Sequence, residues 1–200
     1  CESLSGFIED LGRRAEAIAA RQVSPEEDNM LKITGEGRLA ALDPRCVGLD
    51  RDPSGGKAAA ITAEVMRIER ATAARRYSTP SGDPSPVPGG MQIIFCDRST
   101  PKAGVWNFYD ELRRHLVAAG MDESRIRFVH EAKGDRQKKE DLFAECRAGK
   151  VSVLIGSTEL MGVGTNIQAR ATALHHADCP WRPADLEQRE GRVLRQGNQN

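Results

Sequence analysis

The sequence predicts an α/β fold, in which a parallel sheet is covered by helices on both faces and preceded by a helical N-terminal extension. Four short apolar segments predict strands: residues 91–96, 125–130, 151–155 and 171–176. Three amphipathic or charged segments predict helices: residues 105–119, 134–148 and 183–195. Gly120 and Gly149 follow the first two of these helices, as is usual at helix ends. Because strands and helices alternate, neighbouring strands are expected to run parallel.

The N-terminal part has a different pattern. Apolar residues at positions 4, 7, 8, 11, 15 and 18 predict a helix over residues 4–21. Residues 28–39 are polar and rich in turn formers, so we expect a loop with short ordered pieces. An alanine-rich helix is predicted over about 56–76, with Arg75 and Arg76 complementing the dipole at its C-terminus.

Residues 78–90 contain four prolines and three glycines, which interrupt regular structure. We therefore expect a mobile linker. The predicted organisation is a helical extension at 1–77, a flexible linker at 78–90 and an α/β domain at 91–200. Since the chain begins at Cys1 without a methionine, we expect it to be a fragment of a longer protein.

Composition excludes several classes of protein. The chain has 29 basic and 29 acidic residues, so its net charge does not predict a nucleic-acid partner. A local basic patch could still bind nucleic acid. The five cysteines are widely spaced and form no CxxC pair, which argues against a disulfide framework and against a zinc site. We expect a reduced, cytoplasmic protein with no metal site of its own. No segment predicts a signal peptide or a membrane-spanning helix.

Polar side chains follow three of the predicted strands. Asp97–Thr100, Gly156–Thr158 and Asp178 come directly after strands, where ligands gather in parallel sheets. The most distinctive segment is Gln188–Gly197, which carries Arg189, Arg192 and Arg195 at three-residue spacing. On a helix these positions share one face. Two guanidinium groups directed at one point suit a polyphosphate whose charge grows during a reaction.

These residues carry a resemblance to a known family. Ser157-Thr158 followed by Gly162-Val-Gly-Thr-Asn166 resembles motif V of superfamily-two helicases and translocases, and Gln188–Gly197 resembles motif VI. Between them, Asp178-Cys-Pro-Trp-Arg-Pro183 is similar to an Asp-Pro-x-Trp-Asn-Pro segment of that family, with Arg182 in place of asparagine. The resemblance covers about residues 91–200. It is closest to the Swi/Snf-type branch and to the methylase-associated DNA helicases of phages and mobile elements, and implies the second RecA-like lobe of a two-lobe motor.

The resemblance implies roles on the nucleotide side. Arg192 and Arg195 match the catalytic arginine fingers, and Gln188 matches a polar residue near the terminal phosphate. Gly164 and Asn166 match positions that serve the nucleotide. ATP and Mg²⁺ are the implied cofactors, with the metal held mainly by the first lobe.

Other residues are implied to contact nucleic acid. Ser157 and Thr158 match positions that touch a backbone phosphate, although Met161 replaces a glycine of this motif. Asp97–Thr100 resembles motif IV, which makes Arg98 and Ser99 candidates for the same task. For Ser99 and Thr100, capping of the following helix is an equally good interpretation.

The resemblance implies the second lobe of an ATP-dependent DNA helicase or translocase, whose partners are nucleic acid and the first lobe of the same polypeptide. Alone, the chain is expected to be inactive as an ATPase. An alternative is a non-catalytic nucleic-acid-binding or docking module of a phage or mobile-element protein. A free-standing flavodoxin-like enzyme is disfavoured, because no cofactor fingerprint is present.

Three further features have simpler interpretations. Ser54-Gly-Gly-Lys57 lacks the spacing of a phosphate-binding loop. His175 and His176 are adjacent on a strand, so they point to opposite faces and do not chelate a metal together. Trp106 and Trp181 could stack on bases, but we expect them to pack in the core.

Overall fold

The computed structural model describes residues 2–79, 81–161, 166–191, 193–194 and 196–200. The chain forms two compact units, Cys1–Lys57 and Ala58–Asn200. In the first unit, helix α1 spans Glu2–Ala19 and confirms the predicted first helix. Helix α2 spans Met30–Leu42, and a short 3₁₀ helix follows at Pro44–Val47.

The prediction of a loop over residues 28–39 is wrong, because most of that segment belongs to α2. Asn29 caps the helix: its side-chain oxygen accepts the N–H of Lys32 at 3.0 Å. The guanidinium of Arg14 in α1 forms ion pairs with two carboxylates of this segment, Asp28 at 2.7 Å and Glu36 at 2.6 Å. These tertiary ion pairs and the cap outweigh the two glycines in the helix, which local propensity alone disfavours.

The second unit is built around a sheet. It contains all but the first two residues of α3 (Gly56–Thr72). It also contains β1 (Met91–Phe95), α4 (Phe108–Ala118), β2 (Ile126–Phe128), α5 (Arg136–Ala148), β3 (Val153–Gly156), β4 (Ala171–His176) and α6 (Pro183–Glu190). The strands lie in the order β2-β3-β1-β4, and every neighbouring pair is parallel. The predicted parallel sheet is confirmed. The last helix ends at Glu190, earlier than the predicted 195.

Both faces of the sheet are covered, as predicted. On one face, Phe95 of β1 and Leu154 of β3 belong to an apolar cluster with Leu142 and Phe143 of α5. On the other face, the side-chain amide of Gln92 donates to the carbonyl of Val65 in α3 at 2.9 Å. Alternation of side chains along the strand therefore directs successive residues into two separate helix–sheet interfaces.

Arg170 attaches the proline-rich segment to the sheet domain. Its side chain is 2% exposed, and Nη1 donates to the carbonyls of Val87 and Gly89 at 2.9 and 3.2 Å. Nη2 donates to the hydroxyl of Ser85, and Nε donates to the carbonyl of Arg147 at 2.9 Å. The second half of the predicted flexible linker is thus bound to the domain. The boundaries 1–77, 78–90 and 91–200 remain a prediction about domain organisation.

Gly149 is required by the position of Arg170. It ends α5 with φ +83°, and a Cβ placed there would lie 2.4 Å from Nη1 of Arg170. The guanidinium cannot move aside easily, because hydrogen bonds hold it. We expect Gly149→Ala to lower the free energy of unfolding by about 2–4 kcal/mol, from the left-handed backbone and the overlap together.

Gly120 is the matched control for this prediction. It also has positive φ, +98°, but nothing lies within 4 Å of an added Cβ. Gly120→Ala should therefore cost only about 1 kcal/mol, the backbone contribution. Urea denaturation of both variants measures the difference. Equal losses of unfolding free energy in the two variants would show that the Arg170 side chain moves to accommodate the new methyl group.

Candidate functional site

The carboxyl ends of the strands form the edge where the predicted site residues gather. The connection after β1 runs towards β2, whereas the connection after β3 runs towards β4. The two neighbouring strands therefore send their chains in opposite directions. In open α/β sheets, ligands bind in the crevice at such a switch point.

A cavity of about 700 Å³ opens at this point. Its lining residues are Asp97, Thr100, His130, Lys133, Ser157, Thr158, Glu159, Leu160, Asp185 and Gln188. Three predicted site residues, Ser157, Thr158 and Gln188, thus line one cavity. The lining carries acidic and basic side chains together, so the cavity is polar without being a simple cationic pocket.

Arg189 lies beside this cavity, fully buried at the end of α6. Its Nε donates to Thr158 Oγ1 at 2.7 Å. Nη2 donates to Asp97 Oδ2 at 2.6 Å and to Asp178 Oδ1 at 2.9 Å. Nη1 contacts the carbonyl of Asp178 at 2.9 Å and Nδ1 of His176 at 3.4 Å. All five guanidinium N–H donors therefore have partners.

Two aspartates complete the network. Asp97 accepts the backbone N–H of Thr158 at 2.6 Å and its hydroxyl at 2.9 Å. Asp178 Oδ2 accepts the backbone N–H groups of Asp97 and Arg98 at 2.6 and 3.0 Å. The segments after β1, β3 and β4 are consequently joined to α6 by charge-assisted bonds, which are stronger than neutral ones.

Burial changes the acidity of several groups along the edge. It raises the pKa of the Cys96 thiol, and the nearby Asp178 adds to the shift. Burial also lowers the pKa of His176, with the neighbouring Arg189 cation contributing. His130 has a lowered pKa from burial and from Lys133. The lowered pKa favours the neutral form of His176. A neutral imidazole can accept the N–H of Arg189 at Nδ1, which a protonated one cannot.

The residues predicted to contact nucleic acid differ in their burial and in their hydrogen bonds. Ser157 is buried, and its hydroxyl accepts the N–H of Leu160 at 3.3 Å. Ser99 has φ +49°, and its hydroxyl accepts the N–H of Phe108, the first residue of α4, at 2.9 Å. That bond matches the alternative interpretation of Ser99 as part of the helix start. In the described part of the chain, Nε of Arg98 is buried without a hydrogen-bond partner.

The predicted nucleotide residues are only partly described. Gln188 is exposed on α6 at the cavity. Asn166 is exposed, and its carbonyl accepts from Nη1 of Arg147 at 3.3 Å. Gly164, Arg192 and Arg195 lie outside the described residues. Their predicted roles stay predictions.

Two simpler interpretations can be compared with the structure. The prediction that both tryptophans pack in the core is wrong: Trp106 is 38% exposed and Trp181 is 63% exposed, because both lie in connections rather than in strands or helices. The two histidines do separate, as predicted. His175 pairs with Gln92 at 2.9 Å, whereas His176 reaches Arg189.

Sequence reasoning missed the role of Arg189. It placed Asp97 and Asp178 at strand ends and noted Arg189 only as one arginine of a series. The available signal was the pair of carboxylates predicted at one edge, which require a cation if they become buried.

The described residues include no helix long and apolar enough to cross a membrane. Across residues 2–79, 81–161 and the described remainder, no group of three His, Cys, Asp or Glu side chains is placed to hold a metal ion.

The sheet order and the switch-point cavity define an α/β domain of RecA-like type. Residues 87–197 match the family described as the helicase conserved C-terminal domain, and this match spans more than half of the chain. The chain belongs to that family, which supplies the second lobe of helicase-type ATP-dependent enzymes. The predicted RecA-like fold and helicase lobe are thereby confirmed. A comparison with curated proteins gave no match.

Proposed function

We propose that this chain is the second lobe of an ATP-dependent DNA helicase or translocase and supplies both arginine fingers and nucleic-acid contacts. The observation that carries the proposal is the position of Ser157, Thr158 and Gln188 around one cavity at the switch point. Helicases of this family generally bind nucleic acid and use ATP with Mg²⁺. The choice of DNA, and of a Swi/Snf-like or methylase-associated phage type, rests on the resemblance of residues 157–197.

In this proposal, the nucleotide occupies the cleft between this lobe and a first lobe of the same polypeptide. Closure places Arg192 and Arg195 against the terminal phosphate, where forked cations stabilise the charge that develops. Gln188 precedes them on the same segment and contacts the phosphate side of the cavity. Gly164 and Asn166 serve the nucleotide from the connection after β3.

The donor set of this lobe fits a shared site. For the nucleotide, the cavity offers Thr100 and Gln188 as neutral hydrogen-bond donors and Lys133 as a cation. Its Asp97, Glu159 and Asp185 are not grouped as a metal site. Mg²⁺, bound with ATP mainly by the first lobe, would neutralise phosphate charge. This lobe's contribution is to orient phosphates and to exclude water on closure.

Nucleic acid is held on the same lobe by Arg98, Ser99, Ser157 and Thr158. Contacts of this type bind the phosphate backbone and carry no sequence information. Opening after hydrolysis changes the position of this lobe relative to the first, and alternation of grip produces a step. Hydrolysis and strand binding are linked because one closure assembles both sites.

The test compares the 200-residue chain alone with the protein that carries both lobes. The chain alone is expected to bind single-stranded DNA weakly, with affinity that falls steeply as salt rises, and to hydrolyse no ATP. Joined to the first lobe, it should hydrolyse ATP faster when DNA is added. Phosphate release measured with and without DNA distinguishes the alternatives. A two-lobe protein that binds DNA without hydrolysis would be the non-catalytic docking module.

A further inference from the structure

Two short antiparallel segments that precede β1 form a hairpin in the second unit, residues 77–79 and 81–85. The backbone N–H of Ser85 donates to the carbonyl of Tyr77 at 2.8 Å. The N–H of Thr79 donates to the carbonyl of Asp83 at 2.7 Å. A hairpin of two strands is only marginally stable by itself. Its position therefore depends on the contacts that hold it to the sheet domain.

The base of the hairpin is held by Arg170, and we call this attachment the anchor. Nη2 of Arg170 donates to the hydroxyl of Ser85, and its guanidinium carbon lies 4.9 Å from the centroid of the Tyr77 ring. The Tyr77 hydroxyl also donates to Oδ1 of Asn200 at 2.7 Å. Tyr77, Ser85 and Arg170 are all buried. The two residues at the base are therefore fixed to one buried cation.

The outer edge of the hairpin is held by Gln199. Ser78 and Pro84 are paired between the two backbone bonds of the hairpin, so the N–H and the carbonyl of Ser78 point outward. Oε1 of Gln199 accepts this N–H at 2.7 Å, and Nε2 of Gln199 donates to this carbonyl at 3.1 Å. The side-chain amide thus occupies the position of a neighbouring strand. We call this pair of bonds the latch.

The residues around Gln199 connect the latch to the sheet. The backbone N–H of Gln199 donates to the carbonyl of Ala169 at 3.2 Å. On either side, Nδ2 of Asn198 and Nδ2 of Asn200 each donate to the carbonyl of Ala171 at 3.1 Å. Ala171 is the first residue of β4. Three consecutive amide side chains therefore join the hairpin to the start of this strand.

The anchor and the latch differ in what their loss would cost. The anchor is a buried cation, and its removal leaves buried acceptors without their donor. The latch joins two exposed residues, Ser78 and Gln199, through a neutral amide. Water can replace such bonds, so each contributes little net stability. Residues 81–84 are exposed as well, so the end of the hairpin buries little apolar surface. We expect the latch to open while the anchor stays closed.

We propose that the hairpin is a strap that opens from the domain as a local unit, with Arg170 as its anchor and Gln199 as its latch. In the closed state, the Gln199 amide covers the strand edge at Ser78. In the open state, the outer part of the hairpin moves away about its base and exposes that edge, while the sheet stays folded. The strap uses none of the residues predicted to bind nucleotide or nucleic acid, so it is separate from the proposed function.

Amide hydrogen exchange of the 200-residue chain, resolved by residue, tests the strap. The reporter is Thr79, whose N–H is bonded to Asp83 and not to Gln199. Gln199→Leu removes the latch and should speed exchange at Thr79 about tenfold, as expected for two weak hydrogen bonds. Exchange at Ser85, in the anchored base, should change by less than about twofold. Gln137→Leu is the matched control, because this exposed glutamine bonds within α5 and should change neither rate.

Gln199→Glu makes the latch depend on pH while keeping its shape. The carboxylate accepts the N–H of Ser78 but has no hydrogen to donate to the carbonyl. Protonation below about pH 4, the usual range of a glutamic acid, restores one donor. The ratio of variant to wild-type exchange rates at Thr79 should therefore be about tenfold at pH 7 and approach one at about pH 3. Comparison with the wild type at each pH cancels the effect of other titrating groups, including Asp83.

Three outcomes would overturn the strap. Unchanged exchange at Thr79 in both Gln199 variants would mean that the hairpin keeps its position without the latch. Equal acceleration at Thr79 and Ser85 would mean that the base is released together with the outer part. Acceleration that extends to Gln92 of β1, whose N–H donates to the carbonyl of Ser152 at 2.8 Å, would make the latch part of the global fold.

Discussion

Replacing either Arg192 or Arg195 with alanine is expected to lower DNA-stimulated ATP hydrolysis by about 10³-fold or more, the range found for arginine fingers in nucleotide hydrolases. The physical reason is that charge accumulates on the phosphoryl oxygens in the transition state, in a closed cleft with little water. A guanidinium is able to donate two parallel hydrogen bonds to phosphoryl oxygens. The measurement is steady-state phosphate release by the two-lobe protein at saturating ATP and DNA.

Lysine at the same positions tests the chemistry of the finger. Arg192→Lys and Arg195→Lys keep a positive charge but lose the fork, so we expect little recovery of kcat. Arg136→Ala, which removes an exposed arginine of α5, should leave the rate within twofold. If both alanine variants hydrolyse ATP at nearly the wild-type rate, the finger assignment is refuted, although the family membership stands.

Arg170→Met is expected to cause the largest loss of stability, on the order of 3–5 kcal/mol. Methionine fills a similar space but offers no donors. The carbonyls of Arg147, Val87 and Gly89 would then be buried without the partner they have now. The ring of Tyr77 would also lose the guanidinium 4.9 Å from its centroid.

Two measurements separate this effect from a general loss of charge. Urea denaturation reports the free energy of unfolding, and limited digestion with a non-specific protease reports release of residues 81–90. Arg136→Met is the control, because it removes an exposed arginine and should change neither result by much. An Arg170→Met protein with the wild-type denaturation midpoint would mean that water replaces the guanidinium at no cost.

Local pattern was sufficient for much of the second unit. The β4 segment matches its predicted range of 171–176, and α5 ends before Gly149 as expected, because hydrophobic alternation and glycine are local signals. Strand order depends on which segments meet in space. No window of sequence shows that β3 lies between β2 and β1, so the switch point follows only from the structure.

Long-range pairing explains the remaining differences. Residues 28–39 contain two glycines and predict a loop, yet an ion pair from Arg14 and a cap from Asn29 support a helix over most of them. Arg189 and Asp97 are 92 positions apart, so their contact could not be inferred from spacing. The candidate residues at strand ends were predictable, whereas the network that holds them was not.

The hydroxyl of Thr158 has a single hydrogen, and Asp97 already accepts it at 2.9 Å. Arg189 occupies one lone pair of the same oxygen. A phosphate that accepts a hydrogen bond from the Thr158 hydroxyl must therefore replace the Asp97 carboxylate, which is also an anion, as its acceptor. Binding there would exchange one anion for another at a single hydroxyl, while Asp97 stays held by the backbone N–H of Thr158 and by Arg189, each at 2.6 Å.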